Sequence, residues 1–236
     1  MILRVKFRKY GVIRYIGHLD VMRFFQKCNR RAELDVEYSK GFSPHQIMSF
    51  ASPLSVGQES DGEYVDISVN SITSCEDIKR RLNAASVEGI EIVSVKILPD
   101  NAGNAMSSVA AAKYEVRIKE NSGLSLPDEE SWNAFINQDT ILYTKETKKG
   151  LREINLKEGI YDISLQNGCF SMLINASSAG NIKPIQILSA FYAYCGMEVP
   201  ENAFIIKRID IFTNIGTEEN MKLVSLDEIG FEQPED

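Results

Sequence analysis

The sequence is short of the residues on which most recognisable chemistries depend. It holds two histidines, His18 and His45, one tryptophan and four cysteines among 236 residues. Cys28, Cys75, Cys169 and Cys195 are scattered with no short pair spacing, which argues against a zinc ribbon, a redox pair or an iron–sulfur cluster. Buried free thiols are the expectation. No G-x-x-x-x-G-K-[ST], G-x-G-x-x-G or H-E-x-x-H string occurs, so nucleotide hydrolysis and zinc proteolysis have no carrier. No apolar run approaches the roughly 20 residues that span a bilayer. Met1-Ile2-Leu3-Arg4-Val5-Lys6 alternates where a signal peptide would be continuously apolar. A cytoplasmic protein is expected, with no membrane contact, no cofactor and no resident metal.

What is present is an ordinary globular composition, 44% hydrophobic and 25% charged, over a length that favours two domains of about 100 residues each. The charge is unevenly placed. The net is −7, yet nine basic residues (Arg4, Lys6, Arg8, Lys9, Arg14, Arg23, Lys27, Arg30 and Arg31) face one acid, Asp20, before residue 33. A segment of +8 thus precedes one of −15. Such a local field attracts anionic partners even when the total charge does not; the alternative is a solvated face balanced by nearby acids.

Residues 3–7 alternate with period two, which predicts a strand with Leu3, Val5 and Phe7 buried and Arg4, Lys6 and Arg8 on the other face. Val21, Phe24, Phe25, Cys28 and Ala32 recur at helical spacing, with Arg23, Lys27 and Arg30 or Arg31 opposite. Asp20 falls in the first turn, where it can cap. Strands are expected over 34–38 and 64–69, a helix from Cys75 behind the capping residues Ser74 and Asp77, and a strand over 90–98. This order is ferredoxin-like, and it repeats: strand 114–118, helix 127–137, strand 141–145, strands 160–165 and 169–174 about the turn Asn167-Gly168, a helix from Pro184 with Ile185, Leu188, Tyr192 and Cys195 inward, and strand 204–209. The predicted fold class is α+β: two tandem ferredoxin-like (βαββαβ) domains, 1–100 and 113–212, with an elaborated loop after the second strand of the first. A small, polar linker over 101–112 and an acidic, mobile tail over 213–236 complete the division. Tyr38-Ser39-Lys40 and Tyr143-Thr144-Lys145 are a further echo between the halves, the latter leading into a basic loop with Lys148, Lys149 and Arg152.

The stretch that looks most like a site is Tyr38-Ser39-Lys40-Gly41-Phe42-Ser43-Pro44-His45, which mixes glycine, proline, aromatic and basic residues without a helix or strand period. With Gly17-His18-Leu19-Asp20, Ser49-Phe50-Ala51, Pro53-Leu54, Val56-Gly57, Glu63-Tyr64-Val65-Asp66 and Thr147-Lys148-Lys149-Gly150, it resembles the radical SAM-linked protein family, a domain of unknown function, over the chain to about residue 212. The resemblance implies a partner: in that family the domain is fused to, or encoded beside, a radical SAM protein with a cobalamin-type domain, and its genes neighbour those for an RNase of the E/G type and for ribosomal proteins. The family's usual serine before His-Leu-Asp is Gly17 here, so a side-chain cap is lost at that point. This chain lacks the cysteine trio of a radical SAM enzyme; any radical chemistry would be the partner's.

Three functional classes follow. The first is an accessory protein that binds RNA or a ribosomal component and presents it to the radical SAM partner. Arg4, Arg8, Arg14, Arg23, Lys27, Arg30, Arg31, Lys40, His45, Lys148, Lys149 and Arg152 would meet the RNA as its polar contacts, and Tyr38 and Phe42 would stack on bases. The second is an RNA-modifying enzyme of pseudouridine-synthase-like architecture with Asp66 or Asp20 as catalytic acid, a reading that rests on fold analogy. Separately, His18 and His45 with a carboxylate such as Asp20 or Asp66 would make a two-His, one-acid metal site if the fold brought them together. The third is a protein–protein adaptor that docks through the apolar segment 50–56.

Overall fold

The computed structural model describes residues 1–147 and 150–232. Met1–Ala110 with Arg208–Asp236 form one compact unit and Ala111–Lys207 the other. Both are mixed α and β, with mostly antiparallel strands and few helices.

In the first unit, β1 (Ile2–Lys9) buries Leu3, Val5 and Phe7 against α1 (His18–Arg31), which contributes Val21, Phe25 and Cys28. The period-two and helical stripes of the sequence meet here; full burial of each large apolar side chain contributes about 1.5–3 kcal/mol. The N-cap of α1 is Gly17, with no side-chain cap, and Asp20 caps nothing but pairs with Arg23 at 3.2 Å. After β2 (Met48–Phe50) and β3 (Glu59–Ser68) come α2 (Cys75–Ala84) and β4 (Ile90–Ile97). Ser74 caps α2 by accepting from Asp77 N–H at 3.1 Å, while the Asp77 carboxylate turns to Thr73, Arg80 and Arg81. The strand order is β4-β1-β3, with β2 on the far side of β3.

The predicted strand over 34–38 is not formed. Val36 and Tyr38 make isolated bridges, to Val69 and Gln46, and the pairing with β3 is made by β2 ten residues later. The alternation in this stretch was real, since Leu34 and Val36 are buried. The chain turns back through residues 39–45, however, so 37–39 bond to 45–47: Ser39 N–H donates to His45 O at 2.8 Å and Ile47 N–H to Glu37 O at 3.0 Å.

The polar stretch 101–112 holds α3 (Ala105–Ser108), capped by Asn104, which lies against β2 and β3 with Ala105 fully buried. Beyond β10 (Phe204–Asn214), the acidic stretch is tied down as well. β11 (Leu223–Ser225) pairs with β10, Leu226 is buried, and Phe231 and Ile97 exchange backbone hydrogen bonds of 2.9 and 3.0 Å. A few apolar residues outweigh the acidic composition over 223–231; residues 233–236 lie outside those described.

In the second unit, β5 (Ala111–Ile118), β9 (Cys169–Asn175) and β8 (Ile160–Gln166) form an antiparallel sheet in the order β5-β9-β8. The turn between β8 and β9 places Asn167 and Gly168 at positive φ, as Asn-Gly predicts. α4 (Glu129–Ile136), capped by Asp128, and α5 (Pro184–Tyr194) supply an aromatic core in which Trp132 packs on Phe170 and Phe191. Burial pushes the Tyr192 hydroxyl up to about 12, and it donates to Ser125 O at 2.7 Å. Cys195, expected inward, caps the end of α5 and is exposed, while Cys28 and Cys75 are buried thiols. β6 (Leu142–Thr147) and β7 (Gly150–Asn155) make a separate hairpin. Tyr143 lies on the first strand of this hairpin, and Tyr38 lies where residues 37–39 bond back to 45–47.

Candidate nucleic-acid interface

Four of the nine cations of the N-terminal segment pair with acids from later in the chain. Arg4 is 1% exposed and Asp66 3%; the two lie opposite each other in the β1–β3 register and join by two hydrogen bonds of 2.9 Å. Arg4 Nη2 also donates to Gly103 O at 3.2 Å. Lys6 pairs with Asp210 at 3.0 Å, Arg8 with Glu91 at 3.1 Å and Asp61 at 3.7 Å, and Arg14 with Glu59 at 3.0 Å. The face of β1 expected to hold phosphates is instead a graded row of ion pairs, buried at the Arg4 end where the segment carrying Gly103 crosses it. A period of two cannot distinguish solvent from such a cover. Arg4 has no surface for a phosphate, and Asp66, clasped bidentately by Arg4, has none for a substrate.

The basic residues of α1 turn outward. Arg23, Lys27, Arg30 and Arg31 are exposed; Arg23 makes an i,i+3 pairing with Asp20, of a kind worth a few tenths of a kcal/mol at a surface. Beside this helix stands the loop 38–46. Its base is Gln46, 6% exposed, which accepts from Asn29 Nδ2 at 2.9 Å and donates from Nε2 to Gln26 O at 3.0 Å. Gln26 O accepts a second bond from Arg30 Nε at 3.1 Å. One carbonyl therefore brings together the aromatic loop and the basic face of α1.

Within the loop, Ser39 Oγ lies 2.8 Å from His45 Nδ1 and accepts from His45 N–H at 3.1 Å, closing the turn. Gly41, at φ +123°, supplies a backbone angle other residues resist, and Phe42 beyond it is fully exposed at 110%. Tyr38 and Lys40 are also exposed. A wholly solvated phenylalanine on a cross-braced loop leaves both ring faces open to stacking. Arg152 is exposed on β7 of the other unit; Lys148 and Lys149 lie outside the described residues.

The two histidines serve different places. His45 closes the loop; His18 packs edge-on to Phe50 with ring centroids 5.2 Å apart, and burial lowers its pKa. No three of His, Cys, Asp and Glu converge among the described residues, so the two-His, one-acid arrangement is not formed there. His18 borders a cavity of about 20 Å³ with Phe50, Pro53, Leu54, Lys9 and Glu63, room for about one water. Beneath it lies a charged cluster that sequence reasoning missed. Arg208 Nη1 donates to both oxygens of the buried Glu63 at 2.9 and 3.1 Å and to Ser52 O at 3.0 Å, and Lys9 Nζ donates to Ile16 O at 2.9 Å and Arg14 O at 3.3 Å. Burial pushes the Glu63 carboxyl up, against the pull of Arg208, and pushes the Lys9 ammonium down. The cluster fixes the turn after β2. Ala51 and Leu54 point inward there, Phe50 and Ser52 are half-buried, and Pro53, Ser55 and Val56 are exposed. Lys9 and Glu63 fall outside the strands expected over 3–7 and 64–69, and Arg208, the partner of Glu63, is 145 positions away, a pairing no local pattern carries.

Residues 3–184 match the family model described as "Uncharacterized protein conserved in bacteria (DUF2344)", and the chain belongs to that family. Among curated proteins none matches. A chain in the solved structure titled "Crystal Structure of a Cbf5-Nop10-Gar1 Complex" is similar at 8% identity with a TM-score of 0.46, over 89% of this chain and 48% of that one. The present chain thus spans about half the length of that structural relative.

Proposed function

We propose that the protein is an RNA-binding accessory module, which holds an RNA or ribosomal component on α1 and the loop 38–46 and presents it to a radical SAM partner. The observation that carries the reading is the Gln26 carbonyl, which accepts from both Gln46 and Arg30 and so sets the exposed Phe42 loop beside the outward row Arg23, Lys27 and Arg30. Cations that track a backbone next to an aromatic that can stack on a base are the two parts single-strand binding needs. Lys40, Tyr38 and His45 fill the same surface. The radical SAM partner follows from the sequence resemblance. Both units are read as ferredoxin-like: the first from its β-α-β-β-α-β order with strands β4-β1-β3-β2, the second with β6 and β7 as an inserted hairpin.

The test is the nucleic acid that accompanies the protein on purification from its native host. RNA that is present for the wild type and absent for Arg23→Glu/Lys27→Glu/Arg30→Glu supports the reading. Protein free of RNA that arrives with a partner resistant to RNase contradicts it and makes the chain an adaptor.

A further inference from the structure

The C-terminal ends of α1 and α2 border a groove of about 500 Å³ whose walls include Arg31, Arg80 and Arg81. Two of these arginines cap each other's neighbouring helix end. Arg31, from α1, donates from Nε and Nη2 to Ala85 O at the end of α2, at 3.2 and 2.6 Å. Arg81, from α2, donates from Nη1 to Glu33 O just past α1, at 3.2 Å. Reciprocal capping does two things. It occupies carbonyls that would otherwise repel an anion, and it fixes both guanidinium planes in advance of binding, so that little side-chain freedom is lost when a ligand arrives. Arg31 keeps Nη1 and Arg81 keeps Nη2 outside these capping bonds. Arg80, 71% exposed, stands at the mouth with Asp77 as its ion-pair partner. Three arginines face two carboxylates, Asp77 and the rim residue Glu33, leaving a local excess of +1.

We propose that this groove is a phosphate site that carries the RNA backbone from α1 onto α2. The inference rests on the RNA-binding reading above and deepens it, because Arg31 on the groove wall lies one helical turn from Lys27 on α1. A planar, pre-oriented guanidinium suits a phosphodiester better than a mobile ammonium does.

The experiment is a salt titration of binding to fluorescently labelled oligouridylate, with wild type, Arg80→Gln, Arg31→Gln and, as a reference on the α1 face, Lys27→Gln. Arg80→Gln removes an exposed side chain, so its melting temperature should stay at the wild-type value; it is the decisive variant if loss of the Ala85 cap perturbs Arg31→Gln. Loss of one phosphate contact on a single strand lowers the slope of log K against log salt by about 0.7. That drop in Arg80→Gln, with several-fold weaker binding, supports the proposal. A wild-type slope in Arg80→Gln together with a lowered slope in Lys27→Gln overturns the groove and leaves the α1 reading standing. Weaker binding with an unchanged slope also overturns it, since the effect is then structural. No binding by wild type at low salt removes both readings.

Discussion

Arg4 and Asp66 face each other across β1 and β3 and share two hydrogen bonds of 2.9 Å, both residues buried. Arg4 and Lys6 are thus held by carboxylates within the fold, while the basic residues of α1 are exposed.

Asp66→Asn leaves a buried guanidinium without its counter-charge and is expected to cost about 3–5 kcal/mol. The double change Arg4→Met/Asp66→Leu recovers most of that loss, as apolar replacements of buried pairs often do. Urea unfolding of the three proteins checks both statements. An enzyme that used Asp66 would lose activity in the double variant despite its recovered stability.

Phe42→Ala is expected to leave the melting temperature unchanged, since the ring touches solvent all round, and to weaken RNA binding by about 1–3 kcal/mol, the value of one stacked base. Fluorescence titration against thermal melting separates the two effects.

Gln46→Ala should do the reverse in part. It strips the buried Asn29 amide of its 2.9 Å acceptor and unties the loop from Gln26, a loss of about 1–3 kcal/mol in stability. RNA affinity falls as well, because the loop is no longer held beside Arg30. Measured together, unfolding and binding should both shift, unlike the binding-only shift of Phe42→Ala.

His18 introduces a pH dependence. Burial holds its folded pKa below the usual 6.5, so the neutral ring belongs to the folded state and the unfolded chain takes up the proton first. The stability it permits is full above 6.5 and is lost as pH falls from there through the folded pKa. Urea midpoints on either side of 6.5 should therefore drop less on acidification in His18→Gln than in the wild type.

Gly62 has no room for a side chain: an added Cβ would lie 2.6 Å from Asp210 Oδ1 and 2.8 Å from Ile209 O. Gly62→Ala is expected to cost about 1–3 kcal/mol through overpacking, read as a lower urea midpoint.

Local patterns were enough for much of this. The faces of β1 and α1, the Ser74 cap and the Asn167-Gly168 turn were legible because each depends on neighbours within a few residues. The 34–38 strand was misplaced because its alternation reports burial, and the partner of a buried segment is chosen by the turn at 39–45. Long-range pairs were out of reach: Arg4 with Asp66, Glu63 with Arg208 and Lys6 with Asp210 join residues 62, 145 and 204 positions apart. The loop 38–45 was legible as irregular and aromatic, but its tie to α1 runs through Gln26, Asn29 and Gln46, polar residues that carry no period.

The most direct test of the central claim is equilibrium binding of labelled single-stranded RNA by wild type and by Arg23→Glu/Lys27→Glu/Arg30→Glu across a range of salt concentrations. The account predicts tight wild-type binding at low salt, a linear fall of log K with log salt, and no binding by the folded triple variant. Equal affinity of the two proteins at low salt would contradict it.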